Sequence, residues 1–272
     1  MCRWLAYLGP AISLDTLVMK PEHSLVAQSL NAQRNITAVN GDGFGVGWYG
    51  DGRYPGVFRD TPPAWHDENL RHLAAHIRSP LFLAHVRATS GPEVQRSNCH
   101  PFQYENWLFQ HNGSIGGFDR VRRLLDQAIA PELYPNLRGS TDTERMFYLA
   151  LTFGLRENPP AALRRMADFV EEAQESAGVD EPSKMTLAAS DGERIFALRY
   201  STDKASHTLY HSRNIHALRE VGGVCEDLSA EAVIVLSEPL DDVSEHWEEV
   251  PESSLLIVGP NRIEILPFRR AG

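Results

Sequence analysis

The amino-acid sequence predicts an α+β fold built from antiparallel sheets, and three observations carry that expectation. Strand-like and helix-like stretches mix up to about residue 176, and from residue 185 onward only strand-like runs follow. Asp191-Gly192, set between two apolar runs, is a strong hairpin signal. A doubly wound parallel sheet would instead alternate strand and helix to the end. At 272 residues, 42% of them hydrophobic, the chain is long enough to bury a real core.

Residues 4–8 read as a short buried strand. Residues 22–33 read as a helix, with Leu25, Val26, Ser29 and Leu30 on one face. Asn40-Gly-Asp-Gly-Phe-Gly-Val-Gly-Trp-Tyr-Gly50 alternates glycine with larger residues. Period two predicts a strand with one stripped face that something approaches closely, closed by a turn at Asp51-Gly52. A helix over 66–77 ends at Ser79-Pro80. Strands are expected at 81–86 and 106–110, with His111-Asn112-Gly113 at the end of the second.

Residues 119–129 predict a basic amphipathic helix with Val121, Leu124, Leu125 and Ile129 inward. Thr141-Asp-Thr-Glu144 has the capping-box pattern, in which Thr141 caps the next helix and Glu144 reaches back. Pro159 and Pro160 start a further helix to about 176. Strands at 185–189, 195–200, 207–211, 232–236, 255–258 and 262–265 complete the chain, with a turn at Pro260-Asn261.

Lys plus Arg number 26 and Asp plus Glu 36, a net charge of −10. A general nucleic-acid binder needs a basic face to displace counterions, so nucleic acid is not an expected partner. The three cysteines, Cys2, Cys99 and Cys225, fit neither a disulfide framework nor a zinc knuckle. A reducing, cytoplasmic home is the expectation. No apolar run approaches the ~18 residues of a membrane span, and no signal-peptide core fits beside Arg3, Pro10 and Asp15.

The chemistry begins at Cys2. Removal of Met1 would leave Cys2 with a free α-amine beside its thiol, nucleophile and base in one residue. An α-amine titrates near ~7.7–8.0 and a thiol near ~8.5, so modest shifts poise the pair at neutral pH. His85-Val-Arg87-Ala-Thr89-Ser-Gly91 sets an arginine just past a buried strand, where a guanidinium fork suits a carboxylate. Asn112 and Gly113 offer a side-chain amide and a backbone N–H, the donors an oxyanion hole needs. Asp142 stands at a helix start, either as a dipole complement or as the partner of a substrate ammonium.

With those residues in view, the sequence resembles the class II glutamine amidotransferases, which are N-terminal-nucleophile hydrolases. The matches are Met1-Cys2-Arg3, Asn40-Gly-Asp-Gly-Phe-Gly45, His85-x-Arg87, Asn98-x-His-Pro101, His111-Asn-Gly113 and Ser140-Thr-Asp142. They continue through Asp191-Gly192 and Ser237-Glu-Pro-Leu-Asp241 to Trp247 and Val250-Pro251. The likeness is greatest to the stand-alone branch, which includes the γ-glutamyl hydrolase of ergothioneine synthesis and the amidohydrolase subunit of glutathione breakdown. One departure is local: Arg87-Ala-Thr-Ser-Gly91 is one residue shorter than the Arg-Trp-Ala-Thr-His-Gly of the larger synthases and lacks its histidine.

The resemblance implies a four-layer α/β/β/α sandwich and a single domain over 1–272, or 2–272 after loss of Met1. It implies that Cys2 attacks, that Asn112 and Gly113 hold the oxyanion, and that Arg87, Thr89 and Asp142 bind the substrate. The implied substrate is a small γ-glutamyl amide, glutamine or a γ-glutamyl peptide or thiol conjugate, cleaved through a thioester without metal or organic cofactor. A second copy of the chain, or a separate synthase or peptidase subunit, is left open as partner. The rivals are a glutaminase subunit feeding ammonia to a synthase chain and a non-catalytic γ-glutamyl-binding protein.

Four patterns are set aside. Gly45-Val-Gly-Trp-Tyr-Gly50 has dinucleotide-fingerprint spacing but precedes a turn, not a helix. His72 and His76 lack a third ligand and read as a surface pair. Cys99 and His100 are adjacent, so strand alternation would part them and leave His100 structural. Arg120, Arg122 and Arg123 read as a solvated helix face.

Overall fold

The computed structural model describes residues 2–30, 40–89, 93–213, 228–260 and 262–268. Its elements run β1 (Arg3–Ser13), α1 (Asp15–Val18), α2 (Leu25–Leu30), β2 (Phe44–Trp48), β3 (Gly56–Asp60), α3 (Glu68–His76), β4 (Arg78–Val86), β5 (Phe102–Tyr104) and β6 (Trp107–Ser114). Then come α4 (Phe118–Ala128), α5 (Asp142–Thr152), α6 (Pro159–Ser176), β7 (Lys184–Ser190), β8 (Ile195–Ser201), β9 (Tyr210–Ser212), β10 (Val233–Leu236), β11 (Trp247–Glu249), β12 (Ser254–Gly259) and β13 (Arg262–Pro267).

Two sheets result, one ordered β11-β9-β10-β1-β4-β2-β3 and the other β13-β12-β8-β7-β6-β5. The described pairings are antiparallel. Alternation along the strands sorts their side chains into three cores. Trp4, Ala6, Leu83, Leu108, Ala188 and Leu256 meet between the sheets. Tyr7, Phe44 and Phe82 face outward and are covered by Leu17, Leu25 and Leu70 of α1–α3. On the far side Phe109, Leu187 and Phe196 are covered by Val121, Phe147 and Met166 of α4–α6. The order is helix, sheet, sheet, helix, as the resemblance implied.

The stripped face of β2 is explained by what comes close to it. A Cβ on Gly45 would strike the carbonyl of His100, and one on Gly47 would stand 2.8 Å from Pro101 and 2.9 Å from Leu108. Bare backbone on β2 therefore admits the segment around His100 between the sheets.

Several local expectations are corrected. The link from β2 to β3 spans 49–55, so Asp51-Gly52 lies inside a longer loop and is not a tight hairpin turn. His111-Asn112-Gly113 lies within β6, not at its end, because pairing with β7 continues to Ser114. Leu124 is 37% exposed, since α4 turns only the Val121–Leu125 line to the core. Thr141 does cap α5 by accepting from Glu144 N–H, but the Glu144 carboxylate accepts from Arg138 and Gly139 N–H instead of reaching back. The short elements α1, β3, β5 and β11 carried too little pattern to be anticipated. Residues 31–33 of the expected second helix, Asn261 of the last turn and Cys225 lie outside the described residues.

Candidate active site

Antiparallel register sets the start of the chain beside the end of β4. Arg3 pairs with Val86, so Cys2 comes next to Arg87 and Ala88. The half-buried Cys2 Sγ accepts from Ala88 N–H at 3.4 Å and lies 3.5 Å from Ala88 O. Burial pushes the thiol pKa up, opposed by the Ala88 hydrogen bond and by the charges of Arg87 and Arg3. Burial thus favours the neutral thiol at Cys2.

Two further groups hold this end. Arg3 Nη1 donates to Cys2 O at 3.0 Å, and its Nε donates to Glu238 at 2.6 Å in a buried ion pair. Trp4 N–H donates to Ser237 Oγ at 3.0 Å, and Ser237 N–H returns to Trp4 O. The Ser237-Glu238 segment is therefore a clasp on the first strand, a role its sequence did not announce.

Arg87 is buried, with its N–H on Gly43 O and its Nη1 on Asp42 O. The Asp42 carboxylate accepts from Thr89 N–H at 2.8 Å, so the Asn40-Gly-Asp-Gly run fixes the backbone on both sides of Arg87. Ser90 and Gly91, which end the shortened motif, lie outside the described residues, as do Pro92 and Met1.

From the other sheet, β6 brings Asn112 and Gly113. Even-numbered side chains of β6 face the first sheet: Leu108 joins the inter-sheet core and Gln110 donates to Leu5 O at 3.0 Å. Asn112 is buried on that same face. Gly113 adopts φ +146°, and a Cβ there would strike Lys184 O, so only glycine leaves this backbone bare. Asp142, first residue of α5, accepts from Ile115 N–H at 2.8 Å and Thr143 N–H at 2.7 Å. The cap is Thr141 and not Asp142, which instead ties α5 to the end of β6 with its carboxylate.

Cys2, Arg87, Thr89, Gly113 and Asp142 all line one cavity of about 890 Å³. Asn112 is not among its lining residues, whereas its neighbour Gly113 is. His100 also lines the wall. The alternation argument did not apply to it, because Cys99 and His100 lie between a turn of helix at Arg96–Asn98 and β5, in no strand. Cys99 Sγ turns away to Asp60 O at 3.4 Å. Arg120 and Arg122 line the same cavity and are more than a solvated face; Arg120 donates to Ala177 O and Arg122 is 3.8 Å from Asp126. His76 Nδ1 contacts His72 O on exposed α3, so that pair is a helix-surface contact. Among the described residues no three His, Cys, Asp or Glu groups are gathered as for a metal. No helix among them is long and apolar enough to cross a membrane.

The family model for the class-II glutamine amidotransferases matches residues 16–263. This chain belongs to that family. The Saccharomyces cerevisiae protein named probable glutamine amidotransferase DUG3 is 32% identical over 98% of this chain and 84% of its own length. The gamma-glutamyl-hercynylcysteine sulfoxide hydrolase of Mycobacterium tuberculosis is 27% identical over 100% of this chain and 98% of its own. A solved class-II domain protein from Silicibacter pomeroyi superposes with TM-score 0.75 at 34% identity, covering 98% and 99% of the two chains. A Bacillus subtilis phosphoribosylpyrophosphate amidotransferase, 14% identical with TM-score 0.63 over 98% of this chain and 49% of that one, shares the fold. The sandwich of this amidotransferase is thus that of the N-terminal-nucleophile hydrolases.

Proposed function

We propose that this amidotransferase hydrolyses a γ-glutamyl amide through a thioester on Cys2. The observation that carries the reading is one cavity whose lining includes Cys2, Arg87 and Asp142. A γ-glutamyl group offers one carboxylate and one ammonium beyond its scissile amide, which matches a cation and an anion flanking a nucleophile. The names of the yeast and mycobacterial relatives, a glutamine amidotransferase and a γ-glutamyl hydrolase, support the same substrate class.

In this mechanism Met1 has been removed. The Cys2 α-amine takes the thiol proton, and the thiolate attacks the γ-carbonyl carbon. Asn112 Nδ2–H and Gly113 N–H donate to the oxyanion, while Arg87 and Thr89 grip the α-carboxylate and Asp142 the α-ammonium. Collapse breaks the C–N bond, and the leaving amine takes the proton back from the ammonium. Water then attacks the thioester and releases glutamate.

A volume near 890 Å³ lies toward the top of the roughly 300–1,000 Å³ of drug-sized ligand pockets. That exceeds a bare γ-glutamyl group, which favours an extended leaving amine over ammonia. Cys2 and Cys99 as free thiols support a reducing, cytoplasmic setting.

Trapping with a diazo-ketone analogue of glutamine, followed by peptide mapping, tests the reading. The expected adduct sits on a peptide that begins at Cys2, glutamate protects against it, and Cys2→Ala neither reacts nor turns over. Labelling elsewhere, or an active enzyme that retains Met1, would overturn it.

A further inference from the structure

Three histidines that the mechanism above does not use meet at the cavity wall, with His100 and His111 among its lining residues. His85 lies opposite Trp4 and Gly45 in its sheet and so faces the second sheet. His85 Nε2 is 3.0 Å from His100 Nδ1 and 3.2 Å from His111 O. His111 N–H points at the same His100 Nδ1 at 3.5 Å. A carbonyl only accepts, so the proton of His85 sits on Nε2. A backbone N–H only donates, so His100 Nδ1 is the acceptor for both neighbours. The one consistent pattern leaves the proton of neutral His100 on Nε2.

Burial keeps both rings uncharged. It drives His85 down to about 3 and His100 well below the usual imidazole range, with the charges of Arg87 and Arg59 and the neighbouring His85 and His111 acting on His100 in the same direction. His100 is 5% exposed and lines the cavity. Its Nδ1 edge is turned inward, and among the described residues nothing hydrogen-bonds its Nε2. Among the described residues, His100 therefore offers a neutral N–H donor at Nε2 without a protein acceptor.

We propose that His100 is a substrate-binding residue whose Nε2–H donates to the α-carboxylate that Arg87 also grips. Arg87 alone would bring positive charge, whereas a neutral donor adds direction without a second cation to desolvate. The imidazole enters from the segment between Arg96–Asn98 and β5, admitted by the bare backbone of Gly45. The inference rests on the γ-glutamyl reading.

Two substitutions separate binding from scaffolding. Asparagine places a polar atom near the Nδ1 position and keeps the inner contacts, while glutamine reaches the Nε2 position and forfeits them. Kinetics on γ-glutamyl-p-nitroanilide and competitive inhibition by L-glutamate and by 4-aminobutyrate, which lacks the α-carboxylate, are measured with melting temperatures. His100→Asn should raise KM and the glutamate inhibition constant about tenfold, with kcat within a factor of about two, an unchanged melting temperature and unaltered 4-aminobutyrate inhibition. His100→Gln should bind glutamate much as the parent does while melting lower.

A His100→Asn enzyme with parental KM beside an impaired His100→Gln would make the residue a scaffold only and overturn the inference. Equal weakening of glutamate and 4-aminobutyrate would overturn the carboxylate contact. Failure of the parent enzyme to turn over any γ-glutamyl amide would instead strike the proposed function itself.

Discussion

The seven-stranded sheet brings Cys2, Arg87 and Thr89 to the cavity and fixes them with polar contacts. Arg3 bridges Cys2 O and Glu238, and Asp42 holds Thr89 N–H. The six-stranded sheet brings Asn112 and Gly113 and rests on apolar layers, with Phe109 stacked on Phe147 at 5.2 Å between ring centroids. Cys2 precedes the first residue of β1 and has no strand pairing of its own, so directed bonds to its neighbours place it. A strand in mid-sheet is already fixed by its pairing, and non-directional packing suffices to hold its backbone donors.

The sharpest way to break the comparison pairs two substitutions of similar cost. Glu238→Ala strands the Arg3 charge, and Phe147→Ala opens a cavity; each should cost about 3–5 kcal/mol of stability. Measured well below either melting temperature, turnover should fall only in Glu238→Ala, because only there does Cys2 lose its clasp. Equal activity in both variants would remove the distinction.

Next in size, Asn112→Ala should raise the barrier by about 2.7–4 kcal/mol, a loss of 10²–10³ in kcat, with KM little changed. A smaller loss would assign the oxyanion to other donors. The third test uses acidity. His85 binds its proton near pH 3 in the fold and near ~6.5 when unfolded, so the unfolded state binds more protons between those values. The stability that neutral His85 secures is complete above pH 6.5 and drains as pH falls toward 3. By pH 5 the loss should reach about 2 kcal/mol from this histidine, visible as a falling melting temperature that His85→Gln makes shallower. Smallest, Arg87→Lys should raise KM by about tenfold, about 1.4 kcal/mol, because a point charge replaces a fork.

Legibility followed the same divide. The glycine alternation of 43–47 announced a close approach, and the approaching His100 backbone is there. Thr141 declared the start of α5 because a cap is a local bond. His100 was marked only by the Asn98-x-His-Pro101 match, which named no role for it: its place depends on β4 and β6 meeting behind it, and a rule for strands misread a loop residue. The clasp from Glu238 to Arg3 joins residues 235 apart in sequence, beyond any periodicity. Leu124 and Glu144 failed for a related reason, since the pattern names a helix face or a cap but not the neighbour that meets it.

Taken alone, the sequence determined the α+β class, most of the longer elements and the chemical kinds of group available, a thiol at the second position, a fork, an amide beside glycine and a carboxylate. Those follow from near-neighbour sterics and composition. Only the tertiary structure decided that the thiol, the fork, the glycine and the carboxylate share one cavity, which further side chains line it and which nitrogen of His100 carries the proton, because register between distant strands and the direction of each hydrogen bond exist only once the sheets have met.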